Sequence, residues 1–527
     1  MSTQTLPAQD KKASEVISYD PGTGEEIGRA PLASFEDVKA AVETARRAQP
    51  AWANLPYRQR GRLILNARKL MLAERDELAL LVSQETGKPI AEALSMEIVP
   101  TLDAMHYFAR AAENLLRPQR IDIGQYGLMG RSSRIVFRPL GVIGIISPWN
   151  FPLATPADEI VMALMAGNAV VLKPSELTPL IALKLGEIFN RAGLPPGLLE
   201  IITGDGSTGA ALIDARVDKI MFTGSVATGK RVAEAAAKYL TPVVLELGGK
   251  DPMVVLEDAD LENAVRGAVW GAFANSGQAC ASVERCYVQE SIAPKFIEKI
   301  VAETRALKQG LGTENGIDVG AMTNEHQLQI VSDHVNDAKQ RGAQVLTGGQ
   351  RGSDLDGLFY EPTVLTNVDH GMAIMRDETF GPVLPVMTFK TEDEAIELAN
   401  DSIYGLTASV WTKNIAKGRR LAERIEAGTV MVNEVVYTHG IAQTPWGGVK
   451  DSGYGRTHGR MGLLELVHPQ HIHVNRFSFL PDLWWFRYSP RARKLFGGLA
   501  SNFTTGSILK TSVLLPQMIR RLFGSRE

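Results

Sequence analysis

The sequence is poor in cysteine. Cys280 and Cys286 are the only two in 527 residues, too few for a disulfide framework or a cysteine-built zinc site, and this fits a reducing compartment. No run of about 18 apolar residues occurs, so no segment reads as a single membrane-spanning helix. The start, Met1 to Ser18, is polar and lacks the apolar core of a signal peptide. Net charge is also nearly absent, at −3 from 56 basic and 59 acidic residues. That balance conceals an asymmetry. From Asn475 onward nine Lys or Arg (Arg476, Arg487, Arg491, Arg493, Lys494, Lys510, Arg520, Arg521, Arg526) face two acids, Asp482 and Glu527, so the tail carries +7. The first 474 residues carry −10, and an acidic body argues against nucleic acid as the main partner.

What is present is enough apolar content, 45%, for two or three domains with real cores. Turn residues Asp20-Pro-Gly-Thr-Gly24 between Val16–Tyr19 and Ile27–Arg29 predict a hairpin. Helical periodicity follows over Phe35–Ala48, Arg58–Thr86 and Ala91–Leu116. From Gly141 short β-branched runs (Val142–Ser147, Ala169–Lys173, Leu198–Thr203, Lys219–Phe222, Val243–Glu246) alternate with helical stretches, the rhythm of a doubly wound parallel sheet. A second α/β region has strand-like Met253–Leu256, Arg285–Val288, Val383–Phe389, Ala408–Trp411 and Thr429–Asn433. Ligands in such sheets sit beyond the carboxyl ends of strands, and every motif below is expected at such an end.

Two glycine motifs mislead. Gly204-Asp-Gly206-Ser-Thr-Gly209 matches a dinucleotide fingerprint but lacks the acidic residue about 20 positions on, so it reads as a tight turn. Gly224-Ser-Val-Ala-Thr-Gly229-Lys230 matches a P-loop, but Arg231 stands where magnesium needs Ser or Thr, which excludes a nucleotide triphosphatase. A glycine turn opening a helix still offers N–H groups to a diphosphate.

Together the motifs form a constellation. Pro148-Trp-Asn150-Phe-Pro152 and Lys173-Pro-Ser-Glu176 follow the first two strands; Phe222-Thr-Gly-Ser225 and Glu246-Leu-Gly-Gly-Lys250 follow the fourth and fifth. Asn275-Ser-Gly-Gln-Ala-Cys280 comes next, then Glu378-Thr-Phe380-Gly-Pro382, Asn433 and Pro445–Gly453. In this order they resemble the aldehyde dehydrogenase superfamily over roughly residues 15 to 475. The chemistry agrees. An sp² aldehyde carbon is a poor hydride donor, whereas the tetrahedral adduct of a thiolate donates readily and leaves a thioester for water to cleave. Cys280 is the candidate nucleophile, and its thiol needs a base or positive surroundings to ionise. Cys286 reads as a small buried hydrophobe. The resemblance implies that the Asn150 amide and the Cys280 backbone N–H stabilise the oxyanion. Glu246 is the candidate base for the hydrolytic water, with proton affinity raised by apolar surroundings. The branch that transfers the acyl group to coenzyme A lacks this glutamate, so hydrolysis is expected.

For the cofactor, the resemblance implies that Lys173 and Glu176 hold the adenosine ribose. A carboxylate at Glu176 suits a free 2′-hydroxyl, so NAD is favoured and NADP is the alternative. By the same resemblance Gly224, Ser225 and Gly229 are expected to flank the diphosphate and Glu378 to bind the nicotinamide ribose beside Phe380, with Ile146, Trp149, Phe222 and Leu247 completing the set. No metal is expected: His471 and His473, on one face of an alternating run, read as structural. The Glu434–Thr444 loop, with Val435, Val436, Tyr437 and Ile441, lines the entrance in the family. With Ala279 and Ala281 flanking the nucleophile, an aliphatic or aromatic aldehyde is preferred over a dicarboxylic semialdehyde, which remains the alternative substrate.

The expected architecture is an α/β fold with a doubly wound cofactor domain (1–116 and 138–247), a second α/β catalytic domain (248–462) and a small β oligomerisation arm (117–137 and 463–475). The arm implies a homodimer or homotetramer. Residues 476–527 exceed the family pattern and hold nine of the 35 aromatic residues. Trp484-Trp-Phe486 beside arginines, then Ile508–Leu515 and Ile519–Phe523 around Pro516, resemble an interfacial anchor. The competing reading is packing onto a neighbouring subunit. The expected location is cytoplasmic, with the inner membrane face as the tail's contact. A membrane-associated scaffold without turnover is the alternative of another class, opposed by the intact Asn150, Glu246 and Cys280.

Overall fold

The computed structural model describes residues 15–523 apart from 353–354, 487 and 507. The polar start up to residue 14, and Arg487, Arg526 and Glu527 of the tail, lie outside the described residues, as do the side chains of Phe503 and Ile508. The chain forms two compact units, Met1–Leu115 with Pro139–Val467, and Leu116–Arg138 with His468–Glu527.

The first unit opens with the expected hairpin, strands Glu15–Tyr19 and Glu26–Pro31 pairing antiparallel. Its turn is held by the Asp20 carboxylate, which accepts from the Gly22 N–H at 2.8 Å. A Ser34–Asp37 capping box starts helix Phe35–Ala53. The stretch expected as one helix over Arg58–Thr86 is instead two, Tyr57–Ala73 and Arg75–Thr86. They separate at Glu74, whose carboxylate pairs with Arg191 at 2.6 Å and Lys184 at 3.4 Å on a neighbouring helix. The Ala91–Leu116 segment is also divided, into a turn at Ile90–Glu92, a π-helical turn at Ala93–Ile98 and helix Val99–Leu115. A π turn marks functional sites more often than chance, and this one carries Glu97 into the interior.

Six strands make the first sheet, in the order Gly453–Tyr454, Val243–Glu246, Lys219–Thr223, Val142–Ile146, Ala169–Lys173, Leu199–Ile201. All pair in parallel except Gly453–Tyr454. Strand order reverses between Val142–Ile146 and Lys219–Thr223, and this topological switch point opens a crevice at their carboxyl ends. Helix Ala154–Ala166 is buried along its whole length. Only Thr155, Asp158 and Glu159 interrupt its apolar surface, as a helix enclosed on all sides requires. Asp205 caps helix Gly206–Asp214, so the Gly204–Gly209 stretch is a capped turn.

The second sheet has seven strands, in the order Gln344–Thr347, Thr363–Thr366, Val383–Phe389, Val283–Gln289, Asp251–Val255, Thr407–Trp411, Thr429–Val432. Only the first pair is antiparallel. Cys286 lies fully buried in its core beside Met253 and Val386, as a small hydrophobe.

In the second unit, strands Gln119–Ile121, Arg131–Pro139 and Val467–Asn475 form a three-stranded sheet. The His473 ring nitrogen Nδ1 bonds Ser133 Oγ at 2.8 Å. Helices Pro490–Asn502, Ile508–Ser512 and Leu515–Phe523 enclose a small core of Leu483, Leu495, Leu499, Leu514 and Met518. Pro516 is the second residue of the last helix, where its missing N–H costs nothing, so it begins a helix as well as dividing the apolar stretch. Phe479, Trp485, Phe486, Leu509, Val513 and Phe523 stay exposed. No helix among the described residues is long and apolar enough to cross a membrane.

Candidate active site

A cavity of about 800 Å³ lies where the motifs converge. Its wall includes Trp149, Asn150, Gly224, Ser225, Glu246, Leu247, Cys280, Glu378 and Phe380, nine of the fourteen residues expected at the site. Ile146, Lys173, Glu176, Phe222 and Gly229 lie outside it. Lys173 and Glu176 sit together at the end of strand Ala169–Lys173, with Nζ and Oε2 3.1 Å apart.

The frame of the site is a buried ion pair that the sequence reading missed. Lys88 Nζ donates to Glu97 Oε1 and to the Asn150 carbonyl, each at 2.7 Å, and lies 4.3 Å from the Phe151 ring centre. The other Glu97 oxygen accepts from the Leu153 and Ala154 N–H groups, both at 2.9 Å, and so caps the buried helix. The Asn150 carbonyl also accepts from Asn275 Nδ2 at 3.1 Å, and Asn150 Nδ2 donates to the Gln278 carbonyl at 2.9 Å. An amide has two N–H groups, so one remains for a ligand.

The loop bearing Cys280 is strained. Asn275 and Ser276 are both at φ 54°, and Gly277 is at φ 70°. A side chain at Gly277 would collide with the Gly381 carbonyl, so only glycine fits against the Glu378–Pro382 segment. The Asn275 N–H donates to Glu92 Oε2 at 2.9 Å and Ser276 Oγ to the Gly320 carbonyl at 3.0 Å, which hold the loop in place.

Not every motif lies beyond a strand's carboxyl end. Cys280 comes three residues before strand Val283–Gln289, and Glu378 and Phe380 precede strand Val383–Phe389. The first sheet presents carboxyl ends to the cavity and the second sheet amino ends. The switch-point rule concerns ligands held by a single sheet and does not cover the facing one.

The electrostatics are negative. Burial, then Asp251, Glu378 and Glu246, push the Cys280 thiol well above the ordinary range. Glu246 on the same wall is buried, neither of its oxygens has a hydrogen-bond partner among the described residues, and desolvation followed by the charge of Glu159 raises its proton affinity. The expectation of a raised Glu246 is met in direction.

At the cofactor end, the Trp149 and Phe380 rings meet edge to face with centres 5.5 Å apart. Glu378 Oε1 accepts from the Gly249 N–H at 3.1 Å, and its proton affinity rises to about 8, mainly through burial. A side chain at Gly248 would strike its carboxylate. The Phe380 backbone is fixed by Glu284, which accepts from Phe380 N–H at 2.9 Å and is itself paired with Lys250 at 2.6 Å. Ser225 caps helix Val226–Ala237, and Thr223, Gly224 and Ser225 bring its N-terminus to the cavity, a fitting cradle for a dinucleotide diphosphate.

Ala279 and Ala281 line the cavity as expected, with Val436, Tyr437, His439 and Gly440 of the entrance loop. Val435 turns into the second-sheet core instead, and Ile441 is not on the wall. Other residues on the wall escaped sequence reading: Met96, Asp103, Trp270, Asp158, Glu159 and His458. Only the adjacent acids Asp158 and Glu159 left a trace, as charges inside an otherwise apolar helix.

The fold and site define an α/β oxidoreductase with a dinucleotide crevice and a cysteine facing it. Residues 8–472 match the aldehyde dehydrogenase family. A 4,4'-diapolycopene aldehyde oxidase of Methylomonas sp is 41% identical over 92% of this chain and 90% of that protein. A Mycobacterium ulcerans protein, named provisionally as succinate-semialdehyde dehydrogenase, NADP(+), 2, is 41% identical over 88% of this chain and 90% of that one. The NAD+ complex of an aldehyde dehydrogenase from Bacillus cereus superimposes with TM-score 0.84 at 36% identity, covering 88% of this chain and 93% of that one. An NADP-dependent enzyme of E. coli gives TM-score 0.84 at 34% identity over 88% and 95%. The chain belongs to the aldehyde dehydrogenase family and is an NAD(P)-dependent oxidoreductase acting on aldehydes.

The raised thiol gives a prediction. In cofactor-free protein, iodoacetamide should label Cys280 slowly at about pH 7 and roughly tenfold faster per pH unit up to about pH 9, without a plateau. Peptide mapping that finds a plateau below about pH 8 would contradict the negative environment.

Proposed function

We propose that the enzyme oxidises an uncharged, apolar aldehyde, aliphatic or aromatic, to its acid through Cys280, Asn150 and Glu246. One observation carries the substrate class. No Lys or Arg is among the described residues of the cavity wall, whereas Asp103, Asp158, Glu159 and Glu246 are. A semialdehyde carboxylate would enter a like-charged, partly desolvated field with no cation to receive it. Trp270, Tyr437 and Val99 at the rim, each more than 40% exposed, suit an apolar chain. The Methylomonas relative's name is in keeping with this reading; the mycobacterial relative's name favours the semialdehyde alternative.

In the mechanism, the Cys280 Sγ–H proton is released to solvent as sulfur bonds to the aldehyde carbon and the carbonyl π pair moves onto oxygen. The Asn150 amide and the Cys280 backbone N–H receive that oxyanion; such a donor contributes roughly 3–4 kcal/mol. When bound, NAD(P)+ supplies the hydride acceptor and a positive charge. Collapse of the oxyanion leaves a thioester on Cys280. Water then adds, its proton goes to Glu246, the C–S bond breaks and the acid departs. Water as the acyl acceptor, rather than coenzyme A, follows from Glu246. NAD is the preferred cofactor on account of the Glu176 carboxylate beside Lys173, with NADP as the alternative.

An aldehyde panel with NAD and NADP in parallel, without coenzyme A, tests this reading. Apolar aldehydes with NAD should give the highest kcat/KM, Cys280→Ala no NADH, and Glu246→Gln a burst of NADH with steady turnover lowered about 10²–10⁴-fold. Preference for succinate semialdehyde, or normal turnover by Cys280→Ala, would sink it.

For assembly, strand Val467–Asn475 lies at a sheet edge and is exposed over most of its length, which favours pairing with another copy as a homodimer or homotetramer. A monomer in sedimentation equilibrium at micromolar concentration would refute this.

For location, the second unit presents Trp485, Phe486, Leu509, Val513 and Phe523 with Arg491, Arg493, Lys494 and Arg520 in the same segment, a combination suited to the anionic inner face of a membrane from the cytoplasm. Full-length protein should sediment with phosphatidylserine vesicles at low salt and much less with phosphatidylcholine. Equal recovery in the supernatant with both would reject the contact.

A further inference from the structure

In the proposed mechanism the two oxyanion donors come from separate parts of the chain. The Asn150 amide follows the first-sheet strand Val142–Ile146, and the Cys280 N–H precedes the second-sheet strand Val283–Gln289. One buried side chain bridges these segments. Asn275 Nδ2 donates to the Asn150 carbonyl at 3.1 Å and to the Gln278 carbonyl at 3.0 Å, which uses both of its N–H groups. Asn150 Nδ2 donates to that same Gln278 carbonyl at 2.9 Å, so the three residues close a ring of hydrogen bonds. All three are buried.

The turn itself does not call for asparagine. The Asn275 backbone lies in the left-handed region, at φ 54° and ψ 33°. Glycine takes that conformation without strain, and asparagine takes it at a cost. Nor is the bridge needed to satisfy the two carbonyls. The Asn150 carbonyl already accepts from Lys88 Nζ at 2.7 Å, and the Gln278 carbonyl from Asn150 Nδ2. A second donor on each adds direction more than satisfaction. Other bonds hold the turn in place. The Asn275 carbonyl accepts from the Gln278 N–H at 2.9 Å, Gln278 Oε1 accepts from the Thr323 N–H at 3.0 Å, and the Asn275 N–H donates to Glu92. What the Asn275 side chain adds is the link between the loop of Asn150 and the loop of Cys280.

We propose that Asn275 is a positioning residue for the oxyanion: its side-chain amide sets the Asn150 amide and the Cys280 N–H at the separation the thiol adduct requires. Asn150 spends one amide N–H on the Gln278 carbonyl and presents the other to the substrate. Gln278 stands two residues before Cys280, so the carbonyl that orients the first donor belongs to the segment that carries the second. In the step served, sulfur bonds to the aldehyde carbon and the carbonyl π pair moves onto oxygen. Asn275 makes and breaks no bond to the reacting atoms. Its effect is that both donors already point to where the charge develops. The inference rests on Asn150 as an oxyanion donor.

The test uses the full chain with bound NAD and two variants. Asn275→Gly suits the left-handed backbone, and Asn275→Asp keeps the volume and much of that tolerance but carries no side-chain N–H. Each carbonyl keeps a partner in both, so both should fold. With an aromatic aldehyde, NADH formation in the first turnover should slow roughly 10–10²-fold in each, because misplaced donors cost rate. The aldehyde concentration giving half the maximal rate should stay nearly unchanged. Isotope-edited infrared spectra of the thioester, accumulated in a Glu246→Gln background, give a readout that lost stability alone would not move. Donors on a carbonyl oxygen lower its stretching frequency, so both Asn275 variants should raise it, in the direction of Asn150→Ala. An unchanged first-turnover rate or carbonyl frequency in either folded variant overturns the proposal. Failure of both variants to fold overturns it too, by making Asn275 a structural tie. If Asn150→Ala itself leaves rate and frequency unchanged, the reading of Asn150 fails instead, and the two failures are told apart.

Discussion

The contact on which the site depends is the ammonium of Lys88 between Glu97 and the Asn150 carbonyl. A fully buried ion pair is weak as a source of stability, because desolvation consumes most of its Coulombic gain. Its value here is positional. Lys88 follows the Arg75–Thr86 helix, Glu97 sits on the π turn, Asn150 on the first-sheet crevice, and Asn275 on the cysteine loop. Four segments from three distant parts of the sequence are thereby tied at a single nitrogen and a single carbonyl. Neither loop at that carbonyl can shift without leaving a buried polar group unpaired, which costs more than a hydrogen bond returns. The strained Asn275–Gly277 backbone persists inside this frame.

Around this frame the cavity is built from opposites. Cations are buried and fully employed behind the wall, Lys88 on Glu97 and Lys250 on Glu284, whereas the wall itself carries free carboxylate oxygens. The first arrangement fixes loops; the second leaves protons mobile where a thiol and a water must each give one up. A lysine on that wall would pair with Glu246 and weaken it as a base. The absence of Lys and Arg from the described residues of the wall therefore bears both on the proposed base and on the proposed choice of an uncharged substrate. Glu378, held by Gly249 and packed against the place where only Gly248 fits, belongs to the same negative surface.

Legibility in the sequence followed the range of the interactions concerned. The strands at Ala169–Lys173, Val243–Glu246 and Val383–Phe389 were read to the residue, because short β-branched runs between turns are local signals. Trp149, Asn150, Glu246, Cys280, Glu378 and Phe380 were found because they stand in motifs, and the structure gathers them on one wall. The break at Glu74 was invisible, since the cations its carboxylate meets there, Lys184 and Arg191, lie over 100 residues later. Lys88 and Glu97 were invisible for the same reason: each looks like an ordinary helix-surface charge until the fold encloses it. The placement of Cys280 before its strand was misread because a rule about one sheet was extended to two. Only Asp158 and Glu159 were overlooked while carrying a local sign, two acids in a helix otherwise apolar on every face.

The second unit obeys a different constraint. Its helices gather around five core residues, Leu483, Leu495, Leu499, Leu514 and Met518. At about 25 cal/mol per Å² such a core offsets only a fraction of the entropy of ordering some fifty residues. Yet the same stretch leaves Trp485, Phe486, Leu509, Val513 and Phe523 in water. Apolar area withheld from a core that needs it is stabilising only if something else covers it. That segment carries +7, so its own charge opposes covering by a second copy of the same surface. The remaining chain carries −10. The near-zero total charge is thus the sum of two parts of opposite sign, a basic segment that leaves aromatic side chains exposed and an acidic remainder.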